Sequence, residues 1–141
     1  MNCRILVVDD DRTIRNAIAE YLNNLGYQTN TAKDAKAAVA RMKTARYYIV
    51  VMEVSLPIYS GGYSGWYLLN HIHNRYPLTK VIVVTGDASI ETGLEAIRLG
   101  AICWITKPFS LLNLKNRISA IFRSDKVRML PKRPKHDRLN C

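Results

Sequence analysis

The sequence predicts a doubly wound α/β domain, five parallel strands alternating with five helices. Four short apolar runs, Ile5–Val8, Tyr48–Met52, Val81–Thr85 and Ile102–Thr106, are rich in β-branched residues and read as strands covered on both faces. Between them lie stretches whose apolar residues recur at helical spacing. Strand–helix alternation of this kind calls for right-handed crossovers and hence a parallel sheet. At 141 residues, 48% hydrophobic and 23% charged, the chain can bury the core such a domain needs.

In order, Ile5–Val8 ends at Asp9-Asp10-Asp11, and Ile14, Ala17, Ile18, Tyr21, Leu22 and Leu25 form the first helical stripe, closed by Gly26. Tyr27, Thr29 and Thr31 alternate with polar residues and predict a short strand near the sheet edge. Asp34 is placed to cap a second helix with Ala35, Ala38, Val39 and Met42 inward. After Tyr48–Met52 comes a turn-rich segment, 55–65, then a third helix with Trp66, Leu68, Leu69 and Ile72 that stops before Pro77. Ser89 caps a fourth, carrying the apolar residues Ile90, Leu94, Ile97 and Leu99 and ended by Gly100. Ser110 caps the last, with Leu111, Leu114, Ile118, Ile121 and Phe122 inward. Periodicity fades after Arg123, dividing the chain into a domain over 1–123 and a basic, proline-containing tail or linker over 124–141.

Composition narrows the function. No segment approaches the roughly 18 apolar residues of a membrane span, and the first apolar run meets three aspartates at once, unlike a signal peptide. Cys3, Cys103 and Cys141 are widely spaced and odd in number, so neither a disulfide framework nor a zinc knuckle is indicated, and the expected setting is cytoplasmic. Net charge is +10, but residues 123–141 hold seven Lys/Arg against two Asp, so half of the excess sits in the tail. Nucleic acid is therefore a partner only through that tail. His71 and His73, two apart on a helix, do not share a face and read as surface or packing residues rather than metal ligands. The cluster Gly61-Gly62 and Gly65 lacks the pattern of a phosphate loop. Tyr59, Tyr63, Trp66 and Tyr67 fit either an exposed patch or packing over the third helix, and Cys103 reads as a buried small hydrophobe.

The polar residues that remain all follow strands. Asp9 and Asp10 follow the first, Glu53 the third and Lys107 the fifth, while Thr85 ends the fourth. In doubly wound sheets ligands bind beyond the carboxyl ends of the strands. Carboxylates gathered there repel one another unless a cation joins them, and Mg²⁺ suits a site of oxygen donors that also handles phosphate. Lys107 adds a point charge and Thr85 a hydroxyl, completing the parts used in phosphoryl transfer to a carboxylate.

The segments I-L-V-V-D-D-D, V-S-L-P, V-I-V-V-T-G-D-A and L-G-A-I-C-W-I-T-K-P-F, in that order over residues 3–123, resemble the receiver domain of two-component response regulators. The stretch from Thr85 to Ala101 looks most like receivers attached to transcriptional activators of the alternative-sigma-factor ATPase type. The resemblance implies strand order 2-1-3-4-5 and a Mg²⁺ ion held by Asp10 directly, Asp9 mostly through water, residue 53 and the backbone carbonyl of Ser55. It implies phosphoryl contacts from Thr85 and Lys107, a cis Lys107-Pro108 bond, and a switch formed by Thr85 with the aromatic at Trp104. It also implies a sensor histidine kinase or other signalling protein as partner, and a homodimer through the fourth helix, fifth strand and fifth helix. Three positions depart from the pattern: Glu53 replaces the phosphoacceptor aspartate, the loop I-Y-S-G-G-Y-S-G is longer than usual, and Trp104 replaces Tyr or Phe. The extra methylene advances the carboxylate by roughly 1.3 Å. The expectation is an atypical or pseudo-receiver that acts by protein contact rather than as an enzyme; the alternative is a nucleic-acid-binding adaptor that uses the basic tail.

Overall fold

Residues along the central strands alternate between two hydrophobic layers, which builds the molecule outward from its sheet. The computed structural model describes residues 4–58 and 62–129. Strands β1 (Arg4–Val8), β2 (Gln28–Ala32), β3 (Ile49–Met52), β4 (Lys80–Thr85) and β5 (Cys103–Thr106) form one parallel sheet in the order β2-β1-β3-β4-β5. Helices α1 (Arg12–Asn24), α2 (Ala35–Thr44), α3 (Gly65–Arg75), α4 (Ile90–Arg98) and α5 (Leu111–Met129) cover both faces. Leu6, Val8, Val50, Met52, Val81 and Val83 pack with α2, α3 and Ala96 of α4. Their alternates Ile5, Val7, Ile49, Val51, Ile82 and Val84 pack with α1 and α5. Period-two patterning on strands buried on both sides explains why these runs are continuously apolar.

Helix ends follow the residues expected to make them. Asp34 accepts from the Ala37 amide at 2.8 Å, Ser89 from Thr92 at 3.2 Å and Ser110 from Asn113 at 3.0 Å. Such caps each contribute about 1 kcal/mol by satisfying amides that have no partner within the helix. Gly26 and Gly100 stand at φ 101° and 116°, the left-handed region that ends a helix at little cost for glycine. Among the described residues no helix is long and apolar enough to cross a membrane.

Two elements hold more than the sequence pattern conveys. In α4 the apolar stripe faces outward: Ile90, Leu94 and Ile97 are 63%, 58% and 40% exposed, while Gly93 and Ala96 are buried. Periodicity reveals a stripe but not which way it points. α5 continues through Met129, so residues assigned to the start of the tail are helical. The C-terminal half of α5 is anchored: Phe122 stacks between Tyr27 and Tyr48 at centroid distances of 5.6 and 4.7 Å. The Tyr48 hydroxyl donates to Asp125, whose carboxylate also lies 3.8 Å from Lys80 Nζ. The remainder of the tail, 130–141, lies outside the described residues.

Candidate functional site

Strand register brings the polar centre together. Val8 pairs with Met52, so Asp9 and Glu53 leave adjacent strands at the same level, and the Glu53 amide donates to the Val8 carbonyl at 3.0 Å. Thr85 pairs with Thr106, and the Lys107 amide donates to the Thr85 carbonyl at 2.8 Å. β1 lies between β2 and β3, so the chain leaves it toward opposite edges of the sheet. The acids therefore stand at the topological switch point, where such folds bind ligands.

One ammonium joins the two acids. Lys107 Nζ lies 2.8 Å from Asp9 Oδ2 and 3.0 Å from Glu53 Oε1. Asp9 is 2% exposed and Glu53 5%, so neither charge is screened by bulk water. The remaining oxygens are also engaged: Asp9 Oδ1 accepts from the Asp11 amide at 2.9 Å, and Glu53 Oε2 from the Ser55 amide at 2.8 Å. Burial opposes charge on Lys107, but its hydrogen bonds and attraction to Asp9 and Glu53 prevail and raise its pKa above the ordinary 10.5.

The sign of the resulting pH dependence follows. A folded-state pKa raised above the unfolded value gives stability that is fully present below pH 10.5 and is lost as pH rises through the folded pKa. Burial likewise raises the phenols of Tyr27 and Tyr47 above 10.0, so their stabilisation is lost over the same alkaline range. Urea midpoints measured from pH 8 to 11.5 are therefore expected to fall at the alkaline end, and Lys107→Met is expected to make that limb shallower.

The other expected residues take different places. Asp10 is exposed, outside the buried ion-paired group. Thr85 is fully buried and its hydroxyl accepts from the Asp87 amide at 3.2 Å. Lys107-Pro108 is cis. Trp104 is half-buried and packs toward α4 rather than into the acid centre. Tyr63 and Tyr67 are exposed and stacked at 4.6 Å, and Tyr67 stacks on His71 at 5.7 Å, whereas Trp66 packs against the core. Tyr59 lies outside the described residues. Cys103 is half-buried, and burial raises its thiol pKa.

Three supporting residues escaped the sequence reading. Asp11 caps α1 by accepting from the Thr13 and Ile14 amides at 2.9 and 3.2 Å, which fixes the turn after Asp9. Arg15 donates to the Asp9 carbonyl at 2.8 Å. Asp87 accepts from the Thr92 hydroxyl at 2.6 Å and the Ser89 amide at 2.9 Å, tying the β4–α4 connection together. These bonds hold the Asp87 pKa below its ordinary value, the one from Thr92 contributing most. The spacing D-x-S after a strand was the available signal for Asp87, since a short acidic side chain there closes a local turn.

A doubly wound sheet whose switch point carries buried acids bound to a lysine, with no glycine-rich nucleotide loop among the described residues, is the architecture of a receiver-type signalling domain. The response regulator receiver domain family matches residues 5–119, and the chain belongs to that family. A putative NtrX-like response regulator of Rickettsia conorii is 35% identical over 106 residues, 75% of this chain and 22% of that protein. The chain thus spans about a fifth of the length of that relative. Among solved structures, a CheY-like receiver domain protein from Methanospirillum hungatei superposes with TM-score 0.82 at 28% identity, covering 91% of this chain and 99% of that one. The beryllofluoride-activated NtrC4 receiver domain, solved as a dimer, gives TM-score 0.77 at 32% identity over 86% of this chain and 97% of that one.

Receiver domains of this family typically bind Mg²⁺ at the equivalent site. The donor types here suit such a hard cation, but their arrangement does not. Among the described residues no three of His, Cys, Asp and Glu converge on a point that would hold a metal. Asp9 and Glu53 turn toward Lys107 and backbone amides instead, an arrangement that fits an ammonium better than a divalent ion.

Proposed function

We propose that the chain is a receiver module of a two-component signalling system that works without phosphoryl transfer, with Glu53 in the place of the phosphoacceptor. The observation that carries this reading is the buried Glu53–Lys107 ion pair at 3.0 Å. A glutamate long enough to reach the lysine supplies from within the chain an anion that a phosphorylated aspartate would otherwise present. Its single charge is smaller than the −1.5 to −2 of a phosphoryl group, so it imitates that state in part. Both of its oxygens already accept hydrogen bonds, which lowers their readiness to attack phosphorus.

In this reading Lys107 is the resident cation, Asp9 its second anchor, and Thr85 the switch hydroxyl. Asp10 and the Ser55 carbonyl would complete a metal site if Glu53 were shorter. Trp104 occupies the switch position. The partners are a sensor histidine kinase or another signalling protein, met by contact rather than turnover. The outward α4 stripe supports a homodimer through α4, β5 and α5, because contiguous exposed apolar side chains mark interaction surfaces. Residues beyond α5 are read as a linker, with nucleic acid a partner only through them.

Two measurements test this. Sedimentation equilibrium is expected to give the same self-association with and without a small phosphodonor and Mg²⁺; a shift toward dimer on adding both would refute a site already set. Leu94→Lys is expected to weaken self-association at least about tenfold, by placing a charge in the apolar contact. The same change moves folding stability by under about 0.5 kcal/mol, because the side chain is solvent-exposed in the monomer.

A further inference from the structure

α4 meets the sheet through small side chains. Its buried residues are Gly93 and Ala96, while Ile90, Leu94 and Ile97 face away. An amphipathic helix ordinarily holds its place by driving large apolar groups into the core. Here the large group comes from the sheet. Trp104 on β5 lays its indole on α4 where Gly93 has no side chain, and a methyl group built there would overlap ring atoms Cε2, Cζ2 and Cδ2. Cε2 and Cδ2 form the bond shared by the two rings, so the middle of the indole lies over the glycine. Gly93 is the fourth residue of a nine-residue helix, an interior position where glycine is disfavoured unless close packing requires it.

We infer that Gly93 and Trp104 form a knob-and-notch lock that fixes α4 against β5 and so sets how the Ile90–Leu94–Ile97 face is presented. The packing explains how a residue as large as tryptophan is accommodated on β5: the space comes from the missing side chain on the helix. It also gives α4 a resting position set by its contact with β5. Ala96 alone is too small to hold the helix, so loss of the indole contact frees it. The lock bears on the contact face of the proposed function, but its test involves neither phosphodonor nor partner and can fail independently of that reading.

A size exchange between the two positions tests the lock. Gly93→Ala, Trp104→Phe and the double variant are compared by hydrogen exchange of the α4 amides. The indole itself is followed by fluorine NMR of protein carrying 5-fluorotryptophan, with Trp104→Phe assigning the signal. Gly93→Ala is expected to displace the Trp104 resonance and to speed α4 exchange about tenfold or more, because the added methyl expels the knob. In the double variant the smaller ring leaves room for that methyl, and α4 exchange returns most of the way to the native rate. The inference is overturned if Gly93→Ala leaves α4 exchange unchanged or slows it, as an ordinary helical glycine-to-alanine change does. It is equally overturned if the double variant is no better protected or folded than Gly93→Ala alone, since two coupled positions must deviate from additivity.

Discussion

Lys107→Met is expected to lower the unfolding free energy by about 3 kcal/mol, because removing one partner of a buried ion pair leaves its opposite uncompensated. The case is stronger than for a simple pair, since one ammonium serves both Asp9 and Glu53. Without it, two buried carboxylates face each other from adjacent strand ends. Methionine keeps most of the side chain's length and apolar contact, so the loss reports charge rather than packing. Adding Glu53→Gln to that variant removes one of the two anions and is expected to recover about half of the lost stability, a coupling that a double-mutant cycle on urea midpoints measures directly. If the loss from Lys107→Met were below about 0.5 kcal/mol, the range of an ordinary surface change, the buried pair would not be the anchor described here.

The second large effect concerns chemistry. Glu53→Asp is expected to raise the rate of phosphorylation by a small phosphodonor by about 100-fold or more, because a misplacement of about 1 Å costs that much in a positioned reaction. Shortening the side chain withdraws the carboxylate from Lys107 by about the length of one methylene, roughly 1.3 Å. That frees an oxygen to attack phosphorus while the donor's leaving group departs, and frees the ammonium to meet the incoming phosphoryl oxygens. A time course of donor consumption by the two proteins reads the difference. Equal rates would mean that residue 53 does not control acceptance.

Much of this was readable from the residues, and what was not has identifiable causes. Strands such as Ile5–Val8 announce themselves because burial on both faces leaves no polar position within them. α2 followed its pattern closely, with Ala35, Ala38, Val39 and Met42 all buried, because its single apolar stripe has one sheet to meet. For α4 the pattern left the direction open, because a stripe of isoleucine and leucine looks the same whether it meets a sheet or a partner, and the buried Gly93 and Ala96 carry no hydrophobic signal. The length of α5 was hidden for a related reason. Its final turns are charged, and the bond between Tyr48 and Asp125 joins residues 77 positions apart. At the site, strand ends located Asp9, Glu53 and Lys107, since topology alone brings those ends together. That the lysine would hold both acids at once depended on the reach of a glutamate side chain. Asp10 illustrates the limit: adjacent to Asp9 in sequence, it emerges into solvent where the strand has ended and alternation no longer governs direction.

The central claim is that Glu53 stands in for a phosphorylated residue and does not become one. Its most direct test is the intact mass of the native chain after incubation with Mg²⁺ and a small phosphodonor, run beside Glu53→Asp as the positive control. The account predicts an unmodified native chain and a single phosphoryl adduct on the variant. A rapidly formed adduct on the native protein, mapped to Glu53, would contradict it.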